Sequence, residues 1–128
     1  MTMPATKTSG CDDPKADLIL RSALDEEGVA THFRVTIERL ACASEVFRDM
    51  LDLGGKEDAT EAKDDGLPVV TLEENAATLD HFVKLVYNTF DDLPDIANMD
   101  YHPCFLLWEA ANKYRVGYIR LMTEMRLQ

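Results

Sequence analysis

The spacing of apolar positions changes along this chain, and each change marks an element. Asp17-Leu-Ile-Leu-Arg-Ser22 is a short continuous apolar run, the pattern of a buried strand. Leu24-Asp-Glu-Glu-Gly28 carries turn chemistry, with Gly28 able to take a positive φ. His32-Phe-Arg-Val35 alternates polar and apolar, as the return strand of a hairpin does. From Thr36 the period becomes helical. Ile37, Leu40, Ala41 and Ser44 fall on one spacing, and Val46, Phe47, Met50 and Leu51 repeat it. Ser44 is placed to cap the second of these two helices, and Gly54-Gly55 stops it. Val69-Val-Thr-Leu72 predicts a third strand. Leu79, Phe82, Val83 and Val86 then form an i, i+3, i+4, i+7 stripe, an amphipathic helix within residues 75–88. Phe105, Trp108 and Ala111-Asn112 belong to a further helix, starting near Asp100 with Pro103 in its first turn. Gly117 interrupts, and Ile119, Met122, Thr123 and Arg126 continue into a last helix.

Three stretches show no such period. Residues 1–16 mix Thr, Ser, Gly, Pro and charge, which predicts a flexible polar tail ahead of a single domain over residues 17–128. Residues 54–68 and 91–100 are acidic and polar, the composition of loops. The resulting order is strand, strand, helix, helix, strand, helix, helix, helix. It predicts an α+β fold: a small three-stranded sheet, an early hairpin plus a third strand, covered by about five to six helices.

Composition supports a folded chain and narrows its partners. A length of 128 residues fits one domain, and 46% hydrophobic content supplies a core. The formal net charge is −11, from 24 acidic and 13 basic side chains. Phosphate backbones and anionic membrane surfaces repel such a chain, so no nucleic-acid or membrane partner is expected. The excess is local. Residues 49–100 carry 14 acidic and 3 basic side chains, net −11, while residues 101–128 are net +2. The middle of the chain is either a solvated loop system or a docking surface for a basic partner. Cys11, Cys42 and Cys104 are odd in number and widely spaced, unlike a disulfide framework. No apolar run is long enough to cross a bilayer, and the first residues lack an apolar signal segment. An intracellular protein is expected, with nucleus or cytoplasm left open.

The residue types that carry chemistry are not arranged for it. A structural zinc site wants four ligands, usually in two close pairs, and His102-Pro-Cys104 is one pair. Ser9, Ser22 and Ser44 sit in no nucleophile elbow. Cys42, near Leu40 and Val46, reads as a buried thiol, and Cys104 reads as a small packed residue on a helix. Lys56 follows Gly54-Gly55 but precedes Glu57 and Asp58, which repel phosphate. No catalytic residue, cofactor or metal is therefore expected. A small enzyme or metal protein, and a helical regulatory protein, are the competing classes.

Asp17-Leu-Ile-Leu is followed by Phe33, Leu40, Ser44 and Phe47, at the spacing F-x-x-H-K/R-x-x-L-x-x-x-S-x-x-F, and in this the chain resembles the BTB (POZ) domain family. Downstream, Leu67-Pro-Val-Val-Thr-Leu72, the helix from Leu79 to Tyr87, and Glu109-Ala-Ala-Asn-Lys-Tyr-Arg-Val116 are similar to the family's third strand and next two helices. The likeness covers about residues 17–127, and its wording most resembles short fungal BTB-domain proteins. It implies a non-enzymatic protein–protein interaction module, acting by self-association or partner recruitment. A narrower form is an adaptor that docks a cullin-type ubiquitin ligase scaffold. By this resemblance Met50, Leu51, Glu57 and Tyr87 are candidate partner-binding residues, and Asp17 is a candidate for self-association. The departures are specific. Thr36-Ile37 replaces the family's His and basic residue, so Ile37 offers Asp17 no charge. Residues 1–16 supply no apolar helix and strand to exchange, so a domain-swapped dimer is not expected. Gly55 occupies the hydrophobic position that precedes Glu57 in the adaptor motif.

Overall fold

A computed structural model describes residues 6–52, 62–64, 66–87 and 93–128. Among them the chain forms β1 (Thr6–Asp12), β2 (Leu18–Arg21) and β3 (Ala30–Val35), then α1 (Ile37–Ala43) and α2 (Glu45–Asp52). Next come β4 (Ala62–Asp64), β5 (Leu67–Thr71) and α3 (Ala76–Tyr87). A 3-10 turn at Ile96–Asn98, α4 (Tyr101–Lys113) and α5 (Gly117–Leu127) complete the order. The fold is α+β, a small sheet covered by helices.

The expected hairpin and third strand form the middle of the sheet. β2 and β3 run antiparallel with Leu20 opposite Phe33, and β5 lies parallel to β2 with Val70 beside Leu20. β2 is buried along its apolar run, Leu18, Ile19 and Leu20 alike, as its lack of alternation requires. Asp25 accepts the Glu27 and Val29 N–H groups in the turn, and Gly28 sits at φ +79°, a conformation an L side chain rarely adopts.

Two strands lie where none was expected. Thr6–Asp12, in the expected tail, pairs parallel to β3, and Ala62–Asp64, in the expected 54–68 loop, pairs antiparallel to β5. The order β1-β3-β2-β5-β4 places both at the edges, so among the described residues the sheet has the expected three strands at its centre and these two outside them. An edge strand is held chiefly by its backbone ladder, so it can form without an apolar period.

The helices pack on one another through aromatic rings. Phe47 of α2 stacks on Tyr114 at 4.7 Å, and Phe82 of α3 meets Tyr114 edge-on at 5.7 Å. Ser44 breaks α1 from α2 as expected. Its hydroxyl accepts the Phe47 N–H at 3.1 Å and donates to the Tyr114 carbonyl. α4 ends in a Schellman arrangement: Val116 N–H reaches the Ala111 carbonyl and Arg115 N–H the Asn112 carbonyl. That motif needs a left-handed residue, and Arg115 supplies it at φ +55° where glycine is usual.

Two predictions follow from these strained or unpaired groups. Arg115→Gly relieves the left-handed backbone and raises stability by about 0.5–1 kcal/mol, read from the urea midpoint. His81 Nδ1 is a buried atom without a hydrogen-bond partner, and burial holds the imidazole below its ordinary 6.5. With the folded value depressed, its stabilisation is complete above pH 6.5 and is lost as pH falls through the folded value. The wild type therefore loses stability below pH 6.5 more steeply than His81→Gln in denaturation series across pH.

Candidate interaction surfaces

The N-terminus of α1 gathers several of the residues singled out by the resemblance. Its first N–H groups need acceptors, because no preceding turn supplies carbonyls. Asp17 accepts the Ile37 N–H at 2.8 Å, and the Thr36 hydroxyl accepts the Arg39 N–H at 3.3 Å. The charge that Ile37 cannot offer Asp17 is thus replaced by its backbone N–H. The exposed Asp17 carboxylate is engaged within its own chain as a helix cap.

Tyr87 ties the same corner together from the end of α3. Its hydroxyl accepts the Thr36 N–H at 2.9 Å and donates to Asp13 at 2.7 Å. The Arg39 guanidinium lies over the ring, 5.3 Å from its centre. Burial, then the Asp13 contact, pushes the phenol up. The Lys15 N–H, then the Tyr87 hydroxyl, holds Asp13 below its ordinary 3.8. An open cleft of about 720 Å³ runs along this corner, lined by Asp12, Lys15, Glu38, Arg39 and Cys42 among others. It mixes both signs of charge. Cys42 is exposed here rather than buried, because the residue two on from Leu40 turns away from the core side of α1.

Of the four partner-facing candidates, two are corrected. Leu51 is in the core, and Tyr87 is a buried strut between α3, the start of α1 and Asp13. Both apolar bodies complete the packing of their own helices, leaving little surface for a partner. Met50 is half-buried at the edge of the core. Glu57 lies outside the described residues, as does most of the acidic 54–68 loop. Part of the remaining acidic excess is paired internally: Lys113 bridges Glu73 and Glu74, and Lys84 meets Asp80 at 3.0 Å. His102 is exposed and Cys104 buried, so the one close ligand pair does not converge. Among the described residues no three His, Cys, Asp or Glu side chains gather where they could hold a metal ion. No helix among them is long and apolar enough to cross a membrane.

A second groove is apolar and was not expected. It measures about 750 Å³ and lies between α3, the 3-10 turn and α5, lined by Leu85, Leu93, Pro94, Ile96, Met122 and Met125 among others. Tyr118 closes one side, its hydroxyl donating to the Leu85 carbonyl at 3.0 Å. Met122, one of the residues whose spacing predicted the last helix, is exposed, beside Tyr118, Leu121 and Met125. One signal for this was legible. The last helix has apolar residues on more of its circumference than one buried face can use, at Tyr118, Ile119, Leu121, Met122, Met125 and Leu127.

The Tyr87 corner gives a directional prediction. Tyr87→Phe leaves the Thr36 N–H and the Asp13 carboxylate without this partner and costs about 1–3 kcal/mol in urea denaturation. Because the folded Asp13 value is lowered, its stabilisation is present above pH 3.8 and lost as pH falls through the folded value. The variant therefore shows a shallower loss of stability below pH 3.8 than the wild type.

Compared with protein-family models the chain has no match, and compared with curated proteins it has none either.

Proposed function

We propose that this chain is a non-enzymatic protein–protein interaction module of the BTB/POZ kind, working by association rather than by a reaction of its own. The observation that carries this is the apolar groove beside α5, whose leucine, methionine and tyrosine side chains remain open to solvent. Covering a surface of that chemistry with another protein removes apolar area from water and lowers the free energy. The motif residues of the resemblance support the same reading. Asp17, Ser44, Phe47, Ala110, Ala111 and Tyr114 are occupied with caps and core contacts. In the polar cleft near Tyr87 the Asp13 carboxylate and the Arg39 guanidinium are both engaged with the Tyr87 side chain.

Recruitment to a cullin-type scaffold is the second reading. The half-buried Met50, beside exposed Arg48 and Asp49 on α2, favours it as an apolar anchor with a charged surround. A basic partner drawn to the acidic middle of the chain belongs with this reading, and its binding weakens as salt rises.

Light scattering across concentration and calorimetric titration with a cullin N-terminal domain test these readings together. A mass above the monomer, or saturable heat that Met50→Glu reduces about tenfold or more, is the expected result. A protein that remains monomeric, gives no heat and retains no partner from a matched lysate overturns the interaction module.

A further inference from the structure

Three aromatic rings stand in a row on α4. Tyr101, Phe105 and Trp108 are spaced i, i+4 and i+7, so they share one face of the helix. Tyr101 lies 6.3 Å from Phe105 with the ring planes 7° apart, and Phe105 lies 5.7 Å from Trp108 at 27°. Tyr101 is 61% exposed, and Phe105 and Trp108 are half-buried. The row opens onto a hollow of about 220 Å³, lined also by Glu124 and Leu127 of α5. Small-molecule sites usually measure about 300–1,000 Å³, so this hollow has room for a single long side chain.

Charge selects that side chain. The Trp108 Nε1–H donates to Glu124 Oε1 at 3.2 Å, which holds the carboxylate at the edge of the indole. Arg120 reaches the same oxygen at 3.1 Å, and Glu124 Oε2 has no hydrogen-bond partner among the described residues. Glu109 is exposed, next to Trp108 and one turn on from Phe105, and Asp100 at the start of α4 makes no side-chain capping bond. The other cations of residues 101–128 are placed elsewhere. Lys113 is held by Glu73 and Glu74, Arg126 donates to the Met99 carbonyl, and Arg115 follows the end of α4. An apolar side chain in the hollow covers the Glu124 carboxylate without pairing it, and an acidic one is repelled. A cation gains from the carboxylate and from the ring faces together. Guanidinium suits the site better than ammonium, because it is planar, weakly hydrated, and can stack on a ring while it pairs with a carboxylate. We propose that the Tyr101–Phe105–Trp108 row and Glu124 bind an arginine side chain of a partner protein. It rests on the interaction-module reading and names the chemistry of one contact that module makes.

Trp108 is the one tryptophan of the sequence, so intrinsic tryptophan fluorescence reports this surface alone. The test is its titration, at constant ionic strength, with N-acetyl-arginine methylamide and with the lysine and citrulline counterparts. Citrulline keeps the shape of arginine without the charge. The expected result is a saturable change with arginine, half complete on the order of 10 mM, as one side chain allows. Lysine binds about threefold more weakly and citrulline about tenfold or more. Glu124→Gln weakens the arginine titration about threefold to fivefold, and Arg120→Gln strengthens it by removing the competing cation. The two side chains are 37% and 49% exposed, so both variants keep the fold, checked by circular dichroism and melting temperature. Tyr101→Ala, at the most exposed ring, weakens the titration independently of Glu124. No saturable change up to about 100 mM overturns the proposal. An equal response to citrulline, or a Glu124→Gln protein that binds as the wild type does, overturns it as well. Light scattering and the titration with a cullin domain decide the interaction module separately, since neither reads Trp108.

Discussion

Tyr114 is the contact on which the arrangement of helices depends. Its ring stacks on Phe47 and meets Phe82 edge-on, and its carbonyl accepts the Ser44 hydroxyl. Its own hydroxyl donates to Glu74 at 2.6 Å, at the entry to α3. One residue thus fixes the break between α1 and α2, the body of α3 and the end of α4. Burial and then the Glu74 carboxylate push the Tyr114 phenol far above its ordinary value, so it remains a neutral donor. Ala110 and Ala111, the small residues before it, are buried and let α4 lie close to its neighbours.

A second junction ties the sheet to the helices at the opposite end of α3. Tyr87 brings together Thr36 at the start of α1 and Asp13 after β1, while Asp17 caps the same helix. Several residues that the family resemblance marks therefore act on the fold first. This explains why the expected partner-facing set disperses. Leu51 and Tyr87 are used internally, Asp17 is a cap, and Met50 alone among the described candidates keeps a half-exposed apolar side chain. The last helix, α5, packs on α4 and the 3-10 turn and keeps Tyr118, Leu121, Met122 and Met125 exposed.

The elements with a strong apolar period were legible in the chain. β2, β3, α1, α2, β5 and α3 fall where Leu18 to Val35, Leu40 to Leu51 and Val69 to Val86 place them, within a few residues at each end. Ser44 was legible as a cap because a hydroxyl before an apolar helical run has few other uses. β1 and β4 were not legible, because a strand held by its backbone at a sheet edge needs no apolar pattern. Cys42 was misjudged from its sequence neighbours, since two residues along a helix reverse the direction a side chain faces.

The sequence by itself determined the α+β order, the central hairpin, the helix break at Ser44 and the location of the acidic excess. Each of these depends on neighbours within about one or two turns, or on composition, which the chain states directly. Only the tertiary structure decided which apolar residues become core and which become surface. Ile119 and Met122 are equally apolar neighbours on one helix, yet the first is buried and the second exposed. A helix with apolar residues over much of its circumference has no preferred inner face of its own. The packing of α4 and the 3-10 turn against α5 selects it, and the apolar residues left outside form the groove.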